Sequence, residues 1–465
     1  MTLISSVSGI RGTIGGVQGE NLTPYDIVKF TSAYATFIKQ TSLGSEKIKV
    51  VVGKDARSTS TMIEHIVLGT LAAMGIDVIN LGLTTTPTVE VAIPDYNAQG
   101  GIIITASHNP ENWNGLKFLN HLGEFLTIEE GKIFEKILSS ERIEYVEYNK
   151  IGKIEVKSDF IEQHIEKVLK LPLVDFNAIS SRHFSIVVDA INSAGAVSIK
   201  PLLYALGVTN VHVLNDELTG IFAHNPEPLP EHLTELSGSV VERKADLGIA
   251  VDPDVDRLAF VMEDGKMFGE EYTLVAVADY VLQNTPGNTV SNLSSTQALR
   301  IITEKYNQKY EASAVGEVNV VKKMKEINAV IGGEGNGGVI YPELHYGRDA
   351  LVGLALFLTY LAKSKMKMTE LRAKYPDYYI SKHKINLTDK VVDFADIAAK
   401  ISEKYQHCNI NTEDGLKIIL NDEEWVHLRP SNTEPVIRVY AESISEERSN
   451  FVAKNIIDEI GKLLD

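Results

Sequence analysis

The chain has 465 residues, 44% of them hydrophobic and 23% charged, with a formal net charge of −17. The acidic excess argues against general binding to nucleic acid or anionic membranes, and no stretch approaches the roughly 20 apolar residues that cross a bilayer. A single cysteine, Cys408, excludes an internal disulfide and fits a reducing, cytoplasmic setting.

At ~150 residues per domain the length predicts about three domains. Taken in order, the pattern predicts a helix over Thr23–Gln40 and a strand over Lys47–Val52 that runs into Gly53-Lys-Asp-Ala-Arg57. The apolar run Ile102–Ile104 leads into Thr105-Ala-Ser-His-Asn-Pro110, and a helix follows over Ser158–Leu169. Phe184–Val188 runs into Asp189-Ala-Ile-Asn-Ser-Ala-Gly195, and Leu247–Val251 into Asp252-Pro-Asp254. A helix is expected over Glu271–Asn284, then a strand over Ala329–Ile331 ahead of a glycine-rich turn, then a helix over Ala350–Lys363. Each of these strands is read as followed by a turn and a helix, which implies crossover units and mostly parallel sheets. After about residue 370 short strands (Lys417–Leu420, Trp425–Leu428, Val436–Tyr440) frame a last helix, Glu446–Leu464, and imply a smaller α+β domain. Polar stretches near 145–157 and 258–270 read as separators.

Ser107 sits at the tip of a strand, where open α/β sheets build their sites. By position alone it is a helix cap or a nucleophile, and serine is a favoured cap. Neighbouring His108 does not make a hydrolase, because no G-x-S-x-G elbow is present; it reads as a holder of the turn or of a phosphate. Asp252, Asp254 and Asp256 alternate along extended chain and so share one face. Three crowded carboxylates call for a hard cation, Mg²⁺ or Ca²⁺. The spacing resembles an EF-hand, but Arg257 stands where its glycine belongs and the flanks read as strands. Mg²⁺ keeps open positions for phosphate oxygens, so a phosphoryl group is the natural partner. Gly333-Glu-Gly335-Asn-Gly337-Gly338 contains G-x-G-x-x-G, yet Val-Ile-Tyr-Pro follows it, which is no helix start for a dinucleotide site. A loop presenting Glu334 and Asn336 to hydroxyls fits better. Arg429-Pro-Ser431-Asn432-Thr433-Glu-Pro435, with Arg438 beyond, groups hydroxyls, an amide and guanidinium groups into an anion cradle. Arg11 and Lys117 each place one cation in a turn near a strand end.

In this order the motifs resemble the α-D-phosphohexomutase family, with its loops T-A-S-H-N-P, D-x-D-x-D-R, G-E-x-[SN]-G and R-x-S-x-T-E-P. Further matches are Gly9-Ile-Arg-Gly12, Gly53-Lys-Asp-Ala-Arg57, Asn114-Gly-Leu-Lys117 and His224-Asn-Pro-Glu-Pro228. The resemblance implies an α/β fold of four domains around a central cleft, three of them similar mixed-sheet units and the fourth a smaller α+β domain. We draw them at residues 1–150, 151–258, 259–370 and 371–465. It also implies a phosphoserine at Ser107, Mg²⁺ held by Asp252, Asp254 and Asp256 with Ser107, and a hexose 1,6-bisphosphate as intermediate and activator. Arg429, Ser431, Asn432 and Thr433 would grip the idle phosphate, with Arg438 beside them. Glu334 and Asn336 would bind sugar hydroxyls, Arg257 the phosphoserine or substrate, and Lys117 with Arg11 would give acid/base help or stabilise charge. The partner is a sugar phosphate, and the chain a monomer or homodimer. Among substrates, glucosamine phosphate is our first expectation, with glucose or mannose phosphates as the alternative. A phosphomonoester hydrolase or a non-catalytic sugar-phosphate binder lies further off. Two departures stand out: Gly338 replaces a histidine of many relatives, and Glu317 stands where some glucose/mannose enzymes carry histidine.

Overall fold

In a computed structural model of the chain, described over residues 2–6, 9–42, 47–140, 143–387, 393–431 and 436–464, the strands form four sheets. Three of them repeat one pattern. In the first, Trp113–Leu119, Gly100–Ile104, Lys49–Lys54 and Asp77–Leu83 lie side by side in that order. The second repeats it with Leu258–Met262, Leu247–Val251, Ser185–Asp189 and Asn210–Leu214. The third does so with Gly338–Ile340, Ala329–Glu334, Asn288–Asn292 and Tyr310–Ser313. In each quartet the last three strands are parallel and linked by helices, while the first runs antiparallel and is joined to the second by a hairpin. The fourth sheet, from Tyr379–Asn386 to Asn409–Asn411, is antiparallel throughout and has its own core under the helix Glu446–Leu464.

The expected helix follows the turn after Lys54, as Ser60–Ala73, and the turn after Asp189, as Gly195–Ala205. After Ile104, Val251 and Glu334 the chain instead doubles back as a strand. Ser107 therefore caps no helix. The misreading has a physical source: a short apolar run such as Leu258–Met262 carries no period that separates strand from helix. The sheets are mixed in consequence. The expected boundaries also shift. Ile154–Val156 pairs with Asp77–Leu83, so the first sheet runs past residue 150. Leu258–Met262 belongs to the second sheet, past 258. The fourth sheet begins at Tyr379, while Leu371 and Tyr375 still pack in the core of the preceding unit.

The second and third sheets share one apolar core, in which the helices Glu270–Asn284 and Ala350–Ser364 are covered on nearly all sides. Phe260 from the second sheet stacks on Phe357 at 4.0 Å between ring centroids. Truncating a buried Phe costs about 3–5 kcal/mol. Phe357→Ala should therefore loosen both units together. Hydrogen exchange should quicken in Leu247–Val251 and in Ala329–Glu334, but not in Val436–Ser443. Acceleration confined to one of the first two strands would contradict a shared core.

Candidate active site

The repeated pattern puts three hairpin turns at the carboxyl ends of three central strands. Those turns carry Ser107, the Asp252–Asp256 run, and Glu334 with Asn336. Ser107 has φ +49° and Val255 φ +63°. Left-handed backbone at residues other than glycine stores about 1–3 kcal/mol each and persists only where surroundings enforce it. Around Ser107 the enforcement is visible. Its backbone N–H donates to Thr105 Oγ1 at 2.9 Å. The Arg57 guanidinium donates to the carbonyls of Ser107, Asn109, Pro110 and Trp113. Arg57 is itself aimed by Asp55, 3.1 Å from Nε.

Ser107 Oγ donates to Asp252 Oδ2 at 2.8 Å, so the first two domains meet at this hydroxyl. Asp252 Oδ1 accepts from the backbone N–H groups of Asp256 and Arg257, which folds the acidic loop around it. Burial, then Asp256 and Asp254, push the Asp252 carboxyl well above the usual range. Burial acts the same way on Asp256, but Arg348 and Lys117 outweigh it and hold that group below its ordinary value. Lys117 Nζ donates to Asp254 Oδ2 at 2.6 Å and to Asp256 Oδ2 at 3.1 Å. Burial opposes its charge, yet Asp254 and Asp256 prevail and raise it. Lys117 is thus held as a cation.

The three aspartates fit a divalent metal. Their ligand atoms lie within 4.8 Å of one another, all three residues are fully buried, and Asp254 Oδ1 and Asp256 Oδ1 lack any hydrogen-bond partner. Buried carboxylate oxygens without donors are expensive unless a cation takes them.

A cleft of about 700 Å³ is lined by Arg11, His108, Lys117, Arg257, Glu334, Asn336 and Arg438 among others. Arg11 is drawn below its ordinary value by burial and by Arg257 and Arg438, so guanidinium groups from the first, second and fourth domains crowd together. Such a cluster awaits an anion. His108 lies with Nδ1 3.3 Å from Ser107 Oγ, and burial beside Arg257 and Arg11 pushes it down to about 2. Glu334 accepts from Asn292 Nδ2 at 3.0 Å and from Arg348 Nη1 at 2.9 Å, whereas Asn336 Oδ1 is buried and unpartnered. Arg429 pairs with Asp414 at 2.7 Å and does not line the cleft. Ser431 donates its backbone N–H to Val436 O at 2.9 Å. Asn432 and Thr433 lie outside the described residues.

Several site residues carried no sequence signal. Arg348 reaches Asp256 Oδ2 at 2.8 Å, Glu334 Oε2 at 2.9 Å and Glu317 Oε2 at 2.9 Å, tying the acidic loop to the glycine-rich one. It also explains Gly338: a Cβ there would come within 2.3 Å of Arg348 Cδ. On the fourth sheet Lys384, Arg438 and Arg429 are cross-strand partners, and Lys382, one alternation away, lines the cleft. Only period-2 pairing across strands makes that cationic face visible.

Family models for phosphoglucomutase/phosphomannomutase match all four units: domain I over residues 3–144, II over 162–265, III over 269–379 and the C-terminal domain over 383–459. A phosphoglucomutase/phosphomannomutase of Thermococcus kodakarensis is 37% identical over 94% of this chain and 95% of its own. A phosphoglucosamine/phosphogalactosamine mutase of Sulfurisphaera tokodaii is 31% identical over 100% of both. The fold matches that of a phosphoglucomutase/phosphomannomutase family protein of Burkholderia thailandensis, with a TM-score of 0.83 at 23% identity over 98% of this chain and 96% of the other. The chain belongs to the phosphoglucomutase/phosphomannomutase family and is a phosphohexomutase, an enzyme that interconverts sugar phosphates.

Arg348→Lys keeps one charge but cannot reach three carboxylates at once. Each lost hydrogen bond between charged groups is worth about 1.5–3 kcal/mol. Turnover should fall by about 10–100-fold at 1.4 kcal/mol per decade, with a lowered melting temperature. Wild-type turnover in this variant would remove Arg348 from the positioning role.

Proposed function

We propose that Ser107 carries the phosphoryl group of this mutase and passes it to either end of a hexosamine or hexose phosphate. Asp252, Asp254 and Asp256 would hold Mg²⁺ next to it. The observation that carries this reading is the 2.8 Å contact between Ser107 Oγ and Asp252 Oδ2, inside an acidic loop with two unpartnered carboxylate oxygens. When bound, the ion supplies positive charge against the transferring phosphoryl oxygens.

The chain's own residues divide the remaining work. The cluster of Arg11, Arg257 and Arg438 grips the phosphate that does not react, with Ser431, Asn432 and Thr433 as further candidates. Asn336 lines the cleft and would meet a sugar hydroxyl or amino group through its amide, whereas Glu334 is occupied by Arg348 and Asn292. In the forward step the P–O bond to Ser107 Oγ breaks and a P–O bond to the sugar hydroxyl forms. The hydroxyl proton ends on Ser107 Oγ. Lys117, held as an ammonium, suits proton donation to that leaving oxygen or charge stabilisation rather than proton abstraction. The bisphosphate then turns over and returns its other phosphate to Ser107, which is why a hexose 1,6-bisphosphate would activate the unphosphorylated enzyme. Closure by the cationic face of the fourth sheet would exclude water.

Glucosamine phosphate is the preferred substrate on this reading, because Asn336 offers an acceptor to an amine. The 37% identity to a phosphoglucomutase/phosphomannomutase favours glucose and mannose phosphates as the second reading. A side-by-side assay of the three 6-phosphates with their bisphosphates ranks them. A glucosamine rate below both others would reverse the order.

Ser107→Ala should abolish interconversion and the phosphoryl adduct seen by intact mass, with the fold retained. Asp254→Asn should lower turnover and weaken its Mg²⁺ dependence together. Substantial turnover without Ser107, or an unaltered Mg²⁺ profile in the second variant, would overturn the assignment concerned.

A further inference from the structure

Apart from Ser107 and its acidic neighbours, His164, His345 and Asp349 bring ligand atoms within 4.8 Å of one another. His164 lies on the helix Phe160–Leu169 and Asp349 caps the helix Ala350–Ser364; Thr88 and Glu90 stand behind them on the helix Thr86–Asp95. The three side chains are 0%, 7% and 1% exposed. Both imidazoles turn Nε2 toward the same Asp349 oxygen, Oδ2, at 3.0 and 3.1 Å. Their far nitrogens are met by outer groups: His164 Nδ1 by Thr88 Oγ1 at 3.0 Å, and His345 Nδ1 by Glu90 Oε2 at 3.4 Å.

The protons decide what this arrangement lacks. With no ion and both rings neutral, both Nε2–H groups donate to one carboxylate oxygen, and each Nδ1 is left as a lone pair. The Thr88 hydroxyl can serve His164. The His345 lone pair then faces a carboxylate. Glu90 Oε1, Glu90 Oε2 and His345 Nδ1 are indeed all buried without a hydrogen-bond partner, and Glu90 is 1% exposed. A cation on the two Nε2 atoms and Oδ2 relieves the crowding at Oδ2 and turns the His345 lone pair into a donor toward Glu90 Oε2. The ring protons move to Nδ1, so His345 donates to Glu90. His164 donates to Thr88, whose hydroxyl donates on to Thr85 Oγ1 at 2.6 Å. Outer partners of this kind fix the tautomer of metal-ligating histidines. Asp349 Oδ1 meanwhile holds the N–H groups of Leu351 and Val352, so its other oxygen is aimed. Among the described residues neither Asp349 nor Glu90 pairs with a lysine or arginine.

We propose that His164, His345 and Asp349 form a second metal site, for Zn²⁺, at the junction of the first three domains. Two imidazoles and a carboxylate suit zinc better than the oxygen-seeking Mg²⁺. Ligands about 2.0–2.1 Å from one tetrahedral ion lie about 3.3 Å apart, so each imidazole nitrogen need move from Asp349 Oδ2 by only a few tenths of an ångström. The ion would fasten Asp349, and with it the adjacent Arg348, relative to the helix that carries Glu90.

The test uses the whole chain with Asp254→Asn, so that the aspartate loop does not compete for zinc. The protein is stripped with chelator, loaded with zinc chloride, desalted and analysed for metal by mass spectrometry. About one zinc per chain should remain, the melting temperature should rise by several degrees, and Co²⁺ should give visible bands of low-coordinate nitrogen and oxygen ligation. His345→Gln and His164→Gln should each lower retention at least about 10-fold, and Glu90→Gln should weaken affinity by about 10–100-fold. If a histidine variant does not fold, the Co²⁺ spectrum of the chain with both histidines decides. Retention below about 0.1 zinc per chain, no such spectrum, or retention indifferent to both histidines overturns the site. A proton shared between Glu90 and His345 would then satisfy the cluster instead.

Discussion

Three carboxylates buried in one loop are the constraint around which this molecule is arranged. Left unpaired, the charges of Asp252, Asp254 and Asp256 would forbid the fold. The loop itself supplies backbone N–H groups to Asp252 alone. The other two take Lys117 from the first domain and Arg348 from the third. Removing one partner of a buried pair costs about 3–5 kcal/mol because it strands the other charge. The same electrostatics that would hold a metal therefore also fix how three domains sit around the cleft. Stability and function draw on one set of contacts.

The repeat makes that convergence possible. Each of the first three units ends its central strand in a hairpin rather than a helix, so the turn projects from the sheet edge instead of being absorbed into a helical cap. Short turns between paired strands hold their tips rigidly, which permits left-handed backbone at Ser107 and Val255. Arg57 does for the Ser107 turn what hydrogen bonds to Asp252 do for its own loop: it gathers several backbone groups onto one fixed side chain. A hydroxyl locked in an unusual backbone conformation is presented without a conformational search.

Much of this was legible in the sequence because the chemistry is concentrated in four short loops. Within each loop the residues stand side by side in sequence, as Asp252, Asp254 and Asp256 do, or Glu334 and Asn336. Arg348 is the opposite case. Its three carboxylate partners come from Asp256, Glu317 and Glu334, far from it or separated by a strand, and no local pattern announces it. The cationic row of Lys384, Arg438 and Arg429 likewise depends on register between strands. The helices were readable from their length and period. The hairpin strands were not, since a five-residue apolar run such as Leu258–Met262 fits either element. Domain limits slipped for a related reason: a strand such as Ile154–Val156 returns to a sheet built mostly from residues 70 or more positions earlier.

At Gly338 the chain has no side chain, and the stem of Arg348 fills the space. The arginine is no ordinary cation. It stays charged at every working pH and offers planar, multiple donors. It uses them on protein carboxylates, Asp256, Glu317 and Glu334 together. The same arginine therefore binds the acidic loop to the glycine-rich one and settles which groups beside it remain free to meet a ligand.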